Sequence, residues 1–131
     1  MIKILYSADW HLDSPIQGRT PAHTALLKEA LLRIPEKIVA LCKQENCDML
    51  LLSGDIFDSE YMQRSYLLVY NALKEAAVPV FITPGNHDFY SINSPWAKEL
   101  WPENVHIFTQ PQLQRVSVES PRCTVYGAAY V

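Results

Sequence analysis

The chain is 131 residues long, the length of one ordinary domain, and can bury about two-thirds of its extended surface in a core. Apolar residues make up 49% and charged residues 19%, which argues against intrinsic disorder, and no apolar run approaches the ~18 residues of a membrane-spanning helix. Lys plus Arg number 11 against 14 Asp plus Glu, a net charge of −3, and Arg19, Lys28, Arg33, Lys37 and Lys43 lie scattered among acids; nothing here holds nucleic acid by lysine density alone.

The first apolar run, Ile2–Ser7, reads as a core strand that follows directly on Met1. It carries neither a basic leader nor a small-residue cleavage site, so no secretory signal is expected. Cys42, Cys47 and Cys123 fit neither CxxC nor zinc-ribbon spacing, and reduced thiols in a cytoplasmic protein are the expectation. Leu27, Leu31, Ile34, Ile38 and Leu41 then recur at spacings of four and three and trace one apolar helix face. Thr20 is the expected N-cap with Pro21 at the first helical position, and Pro35 should kink the helix or split it in two. Met49–Ser53 is the second strand. A second helical pattern follows in Met62, Tyr66, Val69, Leu73 and Ala76, ending before Pro79. Val78–Thr83 is the third strand.

Continuous rather than alternating hydrophobicity predicts strands covered on both faces, as in a parallel sheet. Strand, helix, strand, helix, strand predicts βαβ crossovers and an α/β layer fold. The last third differs. Ser94-Pro95 opens a short helical turn that stops before Pro102, and Val105–Phe108, Leu113–Val118 and Cys123–Tyr126 read as short strands. The sequence closes on a strand-like run with no helix or tail behind it, so the expectation is one domain over 1–131, cut short on its C-terminal side.

The chemistry follows the three parallel-strand candidates: Asp9-Trp10-His11, then Gly54-Asp55-Ile56-Phe57-Asp58, then Gly85-Asn86-His87-Asp88. In an open α/β sheet ligands bind beyond the carboxyl ends of the strands, so the three clusters should converge. Carboxylate, carboxamide and imidazole donors without thiolate suit Mn²⁺, Mg²⁺, Fe²⁺ or Zn²⁺. An alternating Asp-x-His leaving a strand end lets two side chains grip one ion. A carboxylate following a glycine can bridge two, and two ions ~3.5–4 Å apart clamp a phosphate and activate water. Gly54 and Gly85 allow the tight turns this needs. Each cluster alone is a common turn or a patch of surface polarity; their joint occurrence, in order, each directly after a core strand, is the signal.

Those three clusters resemble the first three motifs of the calcineurin-like metallophosphoesterases. The longer contexts Ser7–Pro15 and Leu52–Asp58 are most similar to the DNA-repair exonuclease branch, with its SbcD-type nuclease subunits and YhaO-like relatives. The resemblance implies a metallophosphoesterase-type α/β sandwich, represented by its N-terminal half, with a βαβαβ parallel core followed by short strands. It implies a metal-dependent phosphodiesterase with two divalent ions, Mn²⁺ foremost. Asp9 and His11 would hold the first ion, Asp55 would bridge both, and Asn86 would bind the second. His87 would contact the scissile phosphate and protonate the leaving oxygen, with Asp58 keeping it oriented and charged. A metal-bound hydroxide would be the nucleophile. DNA is the implied substrate and a coiled-coil ATPase the implied partner, since no phosphate-binding Gly-x-x-x-x-Gly-Lys loop occurs here. A homodimer is the alternative association.

The sequence departs from the family pattern in one respect: no histidine is placed to supply the lone histidine and the Gly-His-x-His pair that follow these motifs. His106 reads as structural and His23 as a surface residue. Asp88 reads as a support behind the site. Arg19 is as much a solvated loop charge as a phosphate contact. Trp10, Phe57 and Phe89-Tyr90 are expected to pack beneath the loops. Two rivals remain: a phosphatase or nucleotide phosphodiesterase using the same site, and an inactive binding module with an incomplete site and an open sheet edge.

Overall fold

A computed structural model describes residues 1–131. The strands β1 (Ile4–Ser7), β2 (Met49–Ser53), β3 (Val80–Thr83) and β4 (Val105–Ile107) form one sheet in that order, and every neighbouring pair is parallel. The helices α1 (Pro21–Leu32) and α2 (Ile34–Gln44) connect β1 to β2. The helix α3 (Gln63–Ala76) connects β2 to β3, and the single turn α4 (Pro95–Lys98) precedes β4. A separate antiparallel hairpin, β5 (Gln114–Val118) with β6 (Cys123–Gly127), completes the chain. This is the expected α/β architecture. No helix is long and apolar enough to cross a membrane.

Side chains alternate across a strand, and both faces of the central strands are used. Leu50, Leu52, Val80 and Ile82 turn to the helical face, where they meet Val39 of α2, Tyr66, Val69 and Leu73 of α3 and Trp96 of α4. Met49 and Phe81 turn the other way and meet Phe108 together with Val116, Val118, Cys123 and Val125 of the hairpin. Helices, sheet and hairpin therefore stack as layers. Each fully buried aliphatic side chain contributes about 1.5–3 kcal/mol, and this apolar burial anchors the strand ends that carry the site.

Thr20 caps α1 by accepting a hydrogen bond from the His23 amide at 3.1 Å, with Pro21 opening the helix. The chain breaks at Arg33, and Pro35 is buried in the first turn of α2. Leu27, Leu31, Ile34 and Ile38 are half-buried, the last three packed against the core as their spacing requires; Pro35, Val39 and Cys42 are buried beside them, and only Leu41, 39% exposed, falls outside the expected stripe. On α3, Tyr66, Val69, Leu73 and Ala76 are buried as their spacing requires, while Met62 is the exposed residue before the helix.

Covering of strands on both faces holds for β2 and β3 and fails for β1. That strand is a sheet edge, the hairpin does not reach its outer face, and Ile4 and Tyr6 stay 47% and 63% exposed. The three cysteines are free thiols.

His106, an exposed residue on β4, packs its ring against two aromatic neighbours, the structural role expected of it. Its ring lies 5.8 Å from Phe81 and 4.9 Å from Phe108, centroid to centroid. Burial against these rings pushes its pKa below the ordinary value of 6.5. The fold thus favours neutral imidazole, and the unfolded chain binds the proton first as pH falls through 6.5. His106 consequently withdraws a small amount of stability as the solution is acidified through that range. In an NMR titration the His106 midpoint should fall below 6.5, and His106→Phe should remove that share of the acid sensitivity. A midpoint at or above the ordinary value would mean that the ring is solvated.

Candidate metal centre

The three motif loops leave β1, β2 and β3 at the same end of the sheet and re-pair beyond the strands. The Asp9 amide donates to the Gly54 carbonyl at 3.1 Å, the His11 amide to the Asp55 carbonyl at 2.9 Å and the Leu12 amide to the Ile56 carbonyl at 3.0 Å. Leu12 also forms an isolated parallel bridge with Phe57, and both side chains are fully buried. Apolar anchors inside the loops therefore fix the polar residues between them.

The local conformation differs from that expected for Asp-x-His. Asp9 (φ +57°), His11 (φ +48°) and Asp13 (φ +70°) all lie in the left-handed region, so the two donors leave alternate left-handed turns rather than an extended strand. Asp55 is left-handed as well (φ +52°), next to Gly54 at φ +73°. Such backbone costs of order 1 kcal/mol per non-glycine residue, is best tolerated by Asp, Asn and His, and clusters at functional sites. The Asp-x-His-x-Asp alternation was the available sequence signal for it.

His11, Asp55 and His87 come together: one donor atom from each lies within 4.8 Å of the others. The His11 and His87 rings stand edge to face, their centroids 5.1 Å apart. Asp9 Oδ1 lies 3.9 Å from His11 Nε2 on the exposed rim. Asp58 Oδ1 lies 2.8 Å from His87 Nδ1. A carboxylate can only accept, so this contact places the proton on Nδ1 and leaves Nε2 as the free ring nitrogen. Asn86 sits exposed in the turn beside His87. Asp55 is 9% exposed, and its Oδ1 accepts the His87 amide at 2.8 Å. All six candidate residues thus lie on the three loops, five of them linked by these contacts.

Behind this constellation, Asp88 is 4% exposed. Its Oδ1 accepts the amides of Asp55 (3.1 Å) and Gly85 (2.7 Å); its Oδ2 accepts those of Ile56 (2.9 Å) and Phe57 (3.2 Å). Burial pushes its pKa up and the four donors pull it down, burial being the larger influence. Four N–H donors with no acceptor facing them match an acceptor-only carboxylate, so its chemistry here is that of the anion. Its main-chain carbonyl accepts Trp96 Nε1 at 2.7 Å, tying the third loop to α4. Two glycines permit the close approach of the second and third loops. A Cβ on Gly85 would lie 2.6 Å from the Asp55 nitrogen, and a Cβ on Gly54 would lie 2.9 Å from the Gly85 Cα.

Trp10 and Phe57 pack beneath the loops as expected, at 3% and 0% exposure; Phe89 does not, at 45%. Phe89 follows Asp88, whose side chain is turned inward to the four amides, and the next residue faces outward. His23 is an exposed helix residue that also accepts the Arg19 amide at Nδ1. Asp13 is the residue that sequence reasoning missed: its carboxylate reaches the start of α3.

The donor set fits a divalent ion. Imidazole and carboxylate groups converge without thiolate, on a solvent-facing rim backed by a rigid amide cradle.

A family model for the calcineurin-like phosphoesterases matches residues 2–128. The chain is similar to YhaO of Bacillus subtilis, an uncharacterized metallophosphoesterase, at 30% identity over 98% of this chain and 34% of that protein. It is also similar to the SbcD subunit of the SbcCD nuclease of Staphylococcus saprophyticus, at 26% identity over 86% of this chain and 29% of that protein. The chain thus spans about a third of the length of these relatives.

Proposed function

The chain belongs to the calcineurin-like phosphoesterase family, and from that premise we propose that its three loops form the site of a metal-dependent phosphodiesterase acting on DNA. The observation that carries this reading is the convergence of His11, Asp55 and His87 at the ends of three parallel strands, with His87 paired to Asp58. Likeness to a protein named as part of a nuclease favours a phosphodiester of DNA over a phosphomonoester, and favours an associated protein, for which a coiled-coil ATPase is our candidate. A mildly acidic surface is compatible with a DNA substrate if bound cations meet the phosphate.

Asp9 and His11 would hold one divalent ion, Asp55 would bridge to a second, and Asn86 would also bind the second, neither ion receiving from this chain the histidines that follow these motifs in the family. Such ions, when bound, neutralise the substrate phosphate and activate water; Mn²⁺ is our first candidate. His87 has a different task. With Nδ1 held by Asp58, Nε2 is the ring nitrogen left to donate a proton to the leaving oxygen. Asp58, 2.8 Å from Nδ1, holds the ring in that orientation.

The test is Mn²⁺-dependent hydrolysis of bis(p-nitrophenyl) phosphate with Asp55→Ala as control. Hydrolysis that falls by at least about 10²-fold in the variant is expected. Higher activity on p-nitrophenyl phosphate than on the diester would favour the phosphatase reading instead. A folded chain inactive on both, and binding no Mn²⁺, would overturn the assignment for these residues.

A further inference from the structure

We propose that Asp13 is a positioning residue for the His87–Asp58 pair, an inference that rests on the proton-donor role given to His87 above. Leu12 and Asp13 hold the segment Asp58–Met62 at both of its ends. At one end the Asp58 amide donates to the Leu12 carbonyl at 2.8 Å. At the other the Met62 amide donates to Asp13 Oδ2 at 2.7 Å. The second carboxylate oxygen, Oδ1, accepts the Ser65 hydroxyl at 2.6 Å, and Ser65 is 1% exposed.

Three features make this more than an ordinary helix cap. First, α3 has no side-chain cap of its own; its N-terminal amide is satisfied by a residue 49 positions earlier in the chain. Helix capping alone could have been met by a local Ser, Thr or Asp, the usual solution. Second, Asp13 sits at φ +70°, where glycine is free of strain and Asp or Asn is merely tolerated. An acidic side chain kept in that conformation is explained by the two bonds it makes. Third, the segment it closes begins with Asp58, whose carboxylate fixes the tautomer of His87 at 2.8 Å. The tether therefore runs Asp13, Met62 and Ser65, the 58–62 segment, Asp58 and His87, and it starts two residues from His11. One side chain couples the loop carrying Asp9 and His11 to the group that would deliver the proton.

Two variants separate this role from simple stabilisation. Asp13→Gly keeps the left-handed backbone and removes both acceptors. Asp13→Asn keeps the backbone, offers an amide oxygen to the Met62 amide and an NH₂ to the Ser65 hydroxyl, and should restore the tether. The first readout needs neither metal nor activity: the ¹⁵N chemical shifts of the neutral His87 ring report its tautomer. The wild-type chain should show the Nδ1–H form, Asp13→Gly a mixture, and Asp13→Asn the wild-type pattern. The second readout compares bis(p-nitrophenyl) phosphate, whose leaving group departs without protonation, with a thymidine dinucleotide, whose alkoxide leaving group requires it. Asp13→Gly should lower kcat on the dinucleotide by about 10-fold or more while changing kcat on the activated diester by less than about threefold. Asp13→Asn should recover both. An unchanged tautomer in a folded Asp13→Gly chain, or an equal loss on the two substrates, would overturn the proposal and leave Asp13 as a cap of α3. A wild-type chain that shows the Nδ1–H tautomer and its loss in Asp13→Gly, yet hydrolyses neither substrate, would uphold the positioning role and refute the phosphodiesterase reading.

Discussion

Asp88→Ala should cost the fold about 3–5 kcal/mol, the largest stability effect of any single polar side chain in this molecule. Four main-chain amides, those of Asp55, Ile56, Phe57 and Gly85, converge on this one carboxylate, which is 4% exposed. Removing it leaves three buried donors and a fourth, that of Gly85, part-buried; each buried one costs about 1–3 kcal/mol when unsatisfied, and partial entry of water keeps the total below their sum. Asn at the same position should cost roughly half as much. Its oxygen still accepts two amides, and its NH₂ faces the other two, donor against donor. Urea unfolding followed by circular dichroism checks both variants. An alanine variant within about 1 kcal/mol of wild type would mean that water replaces the carboxylate, and that Asp88 does not organise the second and third loops.

The consequence reaches the site because the amides held by Asp88 belong to Asp55 and its two successors. Asp55 keeps a left-handed backbone at φ +52°, a conformation that persists only where the surroundings enforce it. Without the carboxylate, the loop should relax toward ordinary backbone angles and carry the Asp55 side chain away from His11. Loss of Mn²⁺ binding should therefore accompany the loss of stability in Asp88→Ala.

How much of this was legible follows from which interactions are local. The central strands β2 and β3 were readable because both faces are buried and their apolar runs are uninterrupted. The edge strand β1 carries a similar run, but burial is a property of its neighbours, and the open outer face of Ile4 and Tyr6 had no local signature. Pro35 announced the break between α1 and α2; the exposure of Leu41 at the end of the stripe depends on where α2 packs. The convergence of His11, Asp55 and His87 was readable from three polar clusters placed after three parallel strands. The pairing of His87 with Asp58, which the resemblance implied, is present at 2.8 Å. What could not be read was the scaffold of contacts across long separations: Asp13 to Ser65, or Asp88 to the three amides that open the second loop. A carboxylate that accepts main-chain amides looks, in sequence, like any other surface acid.

Gly85→Ala should disable the centre while leaving most of the fold in place. The added methyl would lie 2.6 Å from the Asp55 nitrogen and 2.9 Å from its Cγ, distances that Cβ atoms do not adopt. Neither neighbour can give way cheaply. The Asp55 amide is held by Asp88 at 3.1 Å, and the Asp55 carboxylate by the His87 amide at 2.8 Å. From behind, Gly54 presses close enough that a Cβ there would sit 2.9 Å from the Gly85 Cα. The methyl must therefore displace the residue proposed to bridge the ions. Overpacking of this kind costs about 1–3 kcal/mol, less than the loss of Asp88, so the variant should remain folded at room temperature. Its Mn²⁺ affinity should fall by about 10–100-fold, the range seen when the support of a metal ligand is disturbed. A displacement approaching 1 Å should lower hydrolysis of the diester by about 10²-fold. Electron paramagnetic resonance of free Mn²⁺, read beside circular dichroism, separates the two effects. Weakened binding in a folded variant would tie Mn²⁺ affinity to the position of Asp55, whereas wild-type affinity would remove Asp55 from the ligand set and leave Asp9, His11 and Asn86 as the candidate ligands.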